Sequence, residues 1–143
     1  MLDVWNAYPV EGLPPQLYFE QFSHSSDGKI HIVLRAPSAV VPHELGDILY
    51  EITFDGAFAY RFADEGALLR TLNRQQNMVR SVLFTVPDSS YLAWFHEESY
   101  ETRRNFEIVH YMVVTPNEVF EILSGDVPVV TSRASHVGRI SGA

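Results

Sequence analysis

On both sides of Asp55-Gly56 the chain alternates with a period of two, and that period limits the fold more than any other feature of the sequence. From Ile48 to Phe54, Ile48, Tyr50, Ile52 and Phe54 fall on one face and Leu49, Glu51 and Thr53 on the other; from Ala57 to Phe62, Phe58, Tyr60 and Phe62 alternate with Ala57, Ala59 and Arg61. Successive side chains of a strand point to opposite faces, so each run reads as a half-buried strand. Asp-Gly between two such runs is a strong short-range hairpin signal, which predicts an antiparallel pair with one face buried and the other wet. Lys29 to Arg35 repeats the pattern after an Asp27-Gly28 turn, with Ile30, Ile32 and Leu34 on the apolar side.

Elsewhere the period changes. Asp64 to Arg74 carries Leu68, Leu69 and Leu72 at helical spacing and predicts a short helix, and Val79 to Val86 predicts another strand. Pro87-Asp88 ends that strand, and Asp88 or a serine after it can cap the next segment by accepting from free amides of the first turn. In YLAWFHEESYETRR (91–104), Tyr91, Trp94 and Phe95 fall at i, i+3 and i+4, while Glu97, Glu98, Glu101 and Arg104 lie largely opposite, as in an amphipathic helix. Glu107 to Val114 returns to strand character. The stretch 116–124 reads two ways: Thr115-Pro116-Asn117-Glu118 is a capping box that argues for helix, and Glu118 to Leu123 alternates as a strand that would pair back on 107–114. The strand reading is the favoured one.

The sum is an α+β fold: a curved, mainly antiparallel sheet of five or six strands, one face packed on the main helix at about 88–103, with one short helix besides. The expected core is Ile30, Ile32, Leu34, Tyr50, Ile52, Phe54, Phe58, Tyr60, Leu68, Leu72, Leu83, Trp94, Phe95, Val109, Tyr111, Val113 and Ile122. With 143 residues, 46% of them apolar, and no internal repeat or linker, residues 1–143 read as a single domain large enough to bury a real core. Residues 1–15 hold Pro9, Pro14 and Pro15 and are expected as an extended arm, pinned by Leu2, Val4, Trp5 and Tyr8; residues 132–143 are small and polar and are expected as a mobile tail.

Composition then narrows the chemistry. The absence of cysteine rules out disulfides, thiolate metal sites and cysteine nucleophiles. Eighteen acids against ten bases give a formal charge of −8, so the average surface repels nucleic acid and anionic membranes, and a basic protein is the better-matched partner. The first residues lack a secretory leader and no window is apolar enough for a membrane span, so the expected address is the cytoplasm.

No nucleophile elbow, phosphate loop, dinucleotide fingerprint or zincin motif is present, so no catalytic residue, cofactor or metal is expected. The six histidines, His24, His31, His43, His96, His110 and His136, are scattered without metal-pair spacing. His96 and His110 are the candidates for an alternative reading, a small-molecule or hydrolytic enzyme in which one of them acts as base with a nearby glutamate. A further alternative is a self-associating scaffold subunit that uses unpaired sheet edges. The densest polar cluster is His96 to Glu101. Its carboxylates can be a solvated helix face relieved by Arg103 and Arg104, or a docking surface in which Glu97, Glu98 and Glu101 steer a basic partner and Tyr100 anchors it. Glu97, Glu98, Tyr100 and Glu101 are therefore the candidate binding residues. Trp94-Phe95 falls on the apolar stripe and reads as core rather than as a stacking platform, because the chain has one lysine and dispersed arginines.

The order of YEITFDGAFAYRF (50–62), YLAWFHEES (91–99) and HYMVVTPNEVFEILS (110–124) resembles small bacterial proteins similar to immunity proteins of polymorphic toxin systems. The resemblance covers about half the chain and rests on residues of the packing kind. It implies an α+β domain that binds and blocks a toxin, and it carries no catalytic motif over to this chain.

Overall fold

In the computed structural model residues 3–36, 47–68 and 80–135 are described. In chain order their elements are β1 (Asn6–Ala7), β2 (Tyr18–His24), β3 (Ile30–Ala36), β4 (Ile48–Phe54), β5 (Ala57–Asp64), a 3-10 turn (Glu65–Leu68), β6 (Leu83–Thr85), α1 (Ser90–Glu98), β7 (Val109–Val114), β8 (Glu118–Ser124) and β9 (Val129–Ala134). They form two antiparallel sheets, one in the order β1-β6-β7-β8-β5 and the other β2-β3-β4-β9.

The alternation read from the sequence fills the space between these sheets. Ile30, Ile32 and Leu34 of β3 and Ile52 and Phe54 of β4 form one buried cluster with Leu83, Tyr111, Val113, Phe120 and Ile122 of the five-stranded sheet. The mainly antiparallel architecture with one helix is as expected, but the single sheet of five or six strands is instead two sheets facing each other. The helix covers the outer face of the five-stranded one, where Tyr91 packs with Ile108 and Leu123. One apolar face per strand has two solutions, a sheet against a helix or a sheet against a sheet, and the period alone does not choose between them.

The hairpin expected across Asp55-Gly56 does not form. β4 pairs with β3 and β9, whereas β5 pairs with β8, so the chain crosses there from one sheet to the other. The two-residue hairpin turns need positive φ at their first central residue, and neither Asp55 nor Gly56 has it. Gly56 serves close approach instead. Its carbonyl accepts the Gly125 N–H at 2.9 Å, and a Cβ there would stand 2.6 Å from Asp126 Oδ2. The two sheet-crossing connections, β4 to β5 and β8 to β9, thus run against each other.

Other expectations resolve individually. Glu118–Ser124 is strand and pairs with β7, and the predicted capping box still closes its turn: the Thr115 hydroxyl accepts the Glu118 N–H at 3.0 Å and donates to Glu118 Oε1 at 2.6 Å. The arm is pinned by Trp5 against Phe84, Tyr8 edge-on to Tyr111 and β1 paired to β6, whereas Val4 is exposed and Leu2 lies outside the described residues. Of the short helix expected over 64–74, Glu65–Leu68 is a 3-10 turn and 69–74 lie outside the described residues, Leu72 among them. The strand expected from Val79 spans Leu83–Thr85, with Val79 likewise outside. Residues 132–134 of the expected tail belong to β9, and 136–143 lie outside.

Among the predicted core residues, Tyr50, Phe58, Leu68 and Phe95 are half-buried, while Trp94, Tyr60 and Val109 are exposed. Trp94 is 52% exposed because α1 ends at Glu98, short of 103, and the sheet beneath engages Tyr91 and not the next ring of the stripe. No helix among the described residues is long and apolar enough to cross a membrane.

Candidate functional site

Helix α1 has two chemically distinct ends. At its start Ser89 is extended (φ −70°, ψ 126°) and its Oγ accepts the Leu92 N–H at 2.9 Å, satisfying one of the free amides of the first turn. The Asp3 carboxylate, brought over by the arm, accepts from the Ser90 N–H at 3.2 Å and the Ser90 hydroxyl at 2.8 Å. An anion there also opposes the positive end of the helix dipole.

Beneath the first turn lies a polar network on the outer face of the five-stranded sheet. Arg61 of β5 and Glu121 of β8 are cross-strand neighbours, and the guanidinium grips the carboxylate with Nε to Oε2 at 2.6 Å and Nη2 to Oε1 at 3.0 Å. His110 of β7, 2% exposed, lies with Nε2 2.9 Å from Glu121 Oε1, off the line of the ring N–H, and Nδ1 2.6 Å from Ser89 Oγ. Ser89 Oγ therefore bridges the Leu92 N–H of the helix cap and Nδ1 of the buried ring. Tyr91 closes the network from above, edge-on to His110 at 5.4 Å, with the Arg61 guanidinium 4.0 Å from its ring centre on the other side.

Burial raises the Glu121 pKa, but the close approach of His110 and the bonds from Arg61 outweigh it and hold the carboxyl below its usual value. Burial likewise pushes the Tyr91 phenol up, against the pull of Arg61.

Serine, histidine and glutamate in contact are the ingredients of a hydrolytic triad, and here their arrangement is that of a structural strut. The serine hydroxyl is buried and committed to the helix cap, and the imidazole lies under Tyr91. A cleft of about 540 Å3 between β1, β6 and β7 reaches His110, yet its lining contains neither Ser89 nor Glu121. His96, the other candidate base, is buried on α1 with Nδ1 unpartnered. Among the described residues no three histidine, aspartate or glutamate side chains group to hold a metal.

At its other end α1 stops in a Schellman motif. The Tyr100 N–H bonds to the Glu97 carbonyl at 3.1 Å and the Glu101 N–H to the His96 carbonyl at 2.8 Å. The position that reverses the chain in this motif is usually glycine, because it takes a left-handed φ. Here it is Tyr100 (φ 52°), followed by Glu101 (φ 62°), and Tyr100 is 90% exposed.

All four predicted binding residues sit at this end. Glu97 and Glu98 are on the last turn of α1, exposed, and Tyr100 and Glu101 are on the reversal. Glu97 and Glu101 do not share a helix face, since the helix has ended at Glu98; Glu101 pairs with Arg104, whose hydrogen bond holds the glutamate carboxyl below its usual value. Phe106, just past the reversal, is exposed on one side and rests on Phe58 on the other, whereas the exposed Trp94 ring stacks back on Tyr91.

The inner network was absent from the sequence reading, although a signal for it existed. β8 is buried along nearly its whole length, and Glu121 is the one acid among those buried residues. A carboxylate in such a strand requires partners. Comparison with protein-family models, curated proteins and solved structures finds no match.

Proposed function

We propose that this chain is a non-enzymatic protein-binding domain of the immunity-protein kind, which docks a basic partner, a toxin domain in that reading, on the C-terminal end of α1. The observation that carries the proposal is Tyr100, almost fully exposed on a left-handed backbone between the carboxylates of Glu98 and Glu101. Backbone strain persists where the surroundings impose it, and an exposed aromatic flanked along the chain by carboxylates has the makeup of an interface anchor. The charges steer the encounter and the ring supplies desolvated contact area. The −8 charge of the chain favours a basic partner over nucleic acid or an anionic surface.

The catalytic alternative draws on the contact of Ser89, His110 and Glu121. Weighing against it are the burial of all three and the commitment of the serine oxygen to the cap.

The test is a pull-down of the tagged protein from lysate of its source, released by a salt step and followed by affinity measurement on the purified pair. A basic partner is expected, with Glu97→Lys, Glu98→Lys and Glu101→Lys together weakening it at least tenfold and flattening its salt dependence. Affinity and salt slope unchanged by the triple reversal would overturn the proposal.

A further inference from the structure

The edges of the two sheets differ in how they are protected. An unpaired edge is a template for another strand, and proteins blunt it by shortening, bulging or charging it. β1 has two residues; β2 is bulged between Phe19 and Gln21; β9 follows Pro128 and carries Arg133. β5 is irregular only between Ala57 and Ala59, and from Ala59 to Asp64 it runs regularly along β8 with its far edge unpaired by any described strand. On that run Tyr60 and Phe62 are 42% and 55% exposed, supported from below by Phe22 and Phe120.

The ladder fixes which backbone groups of this edge point outward. The Thr115 N–H bonds to the Glu118 carbonyl, so β8 spends Phe120 and Ile122 on β7 and turns Val119, Glu121 and Leu123 toward β5. The Glu65 N–H bond to the Asn117 carbonyl agrees with that parity. Opposite those three stand Ala63, Arg61 and Ala59, which leaves the N–H and C=O groups of Tyr60, Phe62 and Asp64 facing away from the sheet.

We infer that β5 pairs with β5 of a second copy of this chain, antiparallel about a two-fold axis through Phe62. Only registers that match even-numbered residues use the outward groups. The register centred on Arg61 sets two arginines directly opposite each other. The register centred on Phe62 sets Phe62 against Phe62, Tyr60 against Asp64 and Arg61 against Ala63. It has no like-charge pair, uses every outward group from Tyr60 to Asp64, and joins the two five-stranded sheets into one of ten. The one cation of the strip is already neutralised by Glu121. Its one acid, Asp64, stands against Tyr60 and at the far end of the strip from the other copy's Asp64, and this self-complementarity, with no like charges opposed, selects a second copy as the occupant.

The association is read by light scattering on a size-exclusion column over a concentration series. The wild-type chain is expected to approach twice 16.2 kDa as concentration rises. Each copy carries −8, so the dimer strengthens with salt, the reverse of the behaviour expected for a basic partner on α1. Phe62→Pro removes an outward N–H without breaking the β8 ladder, a substitution edge strands tolerate, and is expected to be monomeric with its far-ultraviolet dichroism and melting cooperativity retained. Phe62→Lys, which places like charges on the axis at an exposed site, gives the same result if the proline variant does not fold. The Glu97/Glu98/Glu101 reversal stays dimeric, which separates this inference from the docking proposal. A wild-type chain monomeric at the highest concentration, or a folded Phe62→Lys protein that still dimerises, overturns it.

Discussion

Replacing Tyr100 by glycine should make the protein more stable and worse at its task. A non-glycine residue in the left-handed region costs about 1–2 kcal/mol through its Cβ, and Tyr100 sits there at φ 52°. Its side chain recovers little of this, being 90% exposed with no ring contact among the described residues. Glycine relieves the strain but gives back part of the gain, because it has more freedom to lose from the unfolded chain, so the net is about 0.5–1 kcal/mol. For a chain of this length the entropy of melting is about 0.3 kcal/mol per degree, which converts the gain into a rise in Tm of about 2–3 °C. The assay is calorimetric melting of Tyr100→Gly and Tyr100→Ala beside the wild type. The alanine variant keeps the strain and loses the ring, so its Tm should stay within about 1 °C of the parent. Both variants should bind the basic partner at least tenfold more weakly, the usual loss for a central aromatic anchor. A fall in Tm for Tyr100→Gly would show that the tyrosine is held by contacts and not by the cap alone, and the strain argument would fail.

Two further outcomes follow from the interior. Glu121 is ionised more readily folded than unfolded, so its contribution is complete above the ordinary carboxylate pKa and disappears as pH falls through the depressed folded value. Glu121→Gln should cost about 2 kcal/mol at neutral pH, limited because Arg61 is half exposed and can recover water, and the gap to wild type should close in acid melts; a gap unchanged at pH 3 refutes the assignment. Gly56→Ala should cost about 1–2 kcal/mol in urea unfolding, since its Cβ would meet Asp126, and Gly56→Ala combined with Asp126→Ala should recover part of that; no recovery would place the strain elsewhere.

The position of the strands was legible wherever the chain alternates with a period of two. β3 and β4 lie where their alternation put them, as do β7 and β8, although those two are buried on both faces, and Ser89 caps α1 as one of the serines after Asp88 was expected to. Partner choice was not legible. Asp55-Gly56 is a hairpin signal only through the positive φ those residues tolerate, and the fold uses the missing side chain of Gly56 instead, for the close passage of Gly125 and Asp126. Trp94 and Tyr91 are identical by pattern, and what separates them is the sheet surface beneath, which ends at Tyr91 and Phe95. Likewise Glu97, Glu98, Tyr100 and Glu101 were chosen by composition as one helix face, and they are together because the helix stops. The Arg61–Glu121–His110–Ser89 network joins residues up to 60 positions apart, and no local pattern contains it.

That network and the strained reversal belong to one mechanical argument. A nine-residue helix is too short to stand by itself, so α1 holds its shape through what fastens it. The fastening is concentrated at the N-terminal half: Ser89 ties the cap to His110, Asp3 binds Ser90, and Tyr91 is clamped between His110 and Arg61. Among the described residues the C-terminal half is held by packing, Phe95 on Phe58 and His96 buried, and not by polar ties of this kind, and there the chain carries two consecutive left-handed residues, one of them an exposed tyrosine. Strain can be held at one end because the other is over-determined. Loosening the anchor should therefore reach the far end. A Glu121→Gln protein still folded at neutral pH should lose part of its affinity for the basic partner although residue 121 touches none of the docking surface, and the loss should be smaller on a Tyr100→Gly background, where glycine allows the reversal without strain. Equal losses on both backgrounds would mean that the two ends of α1 are independent.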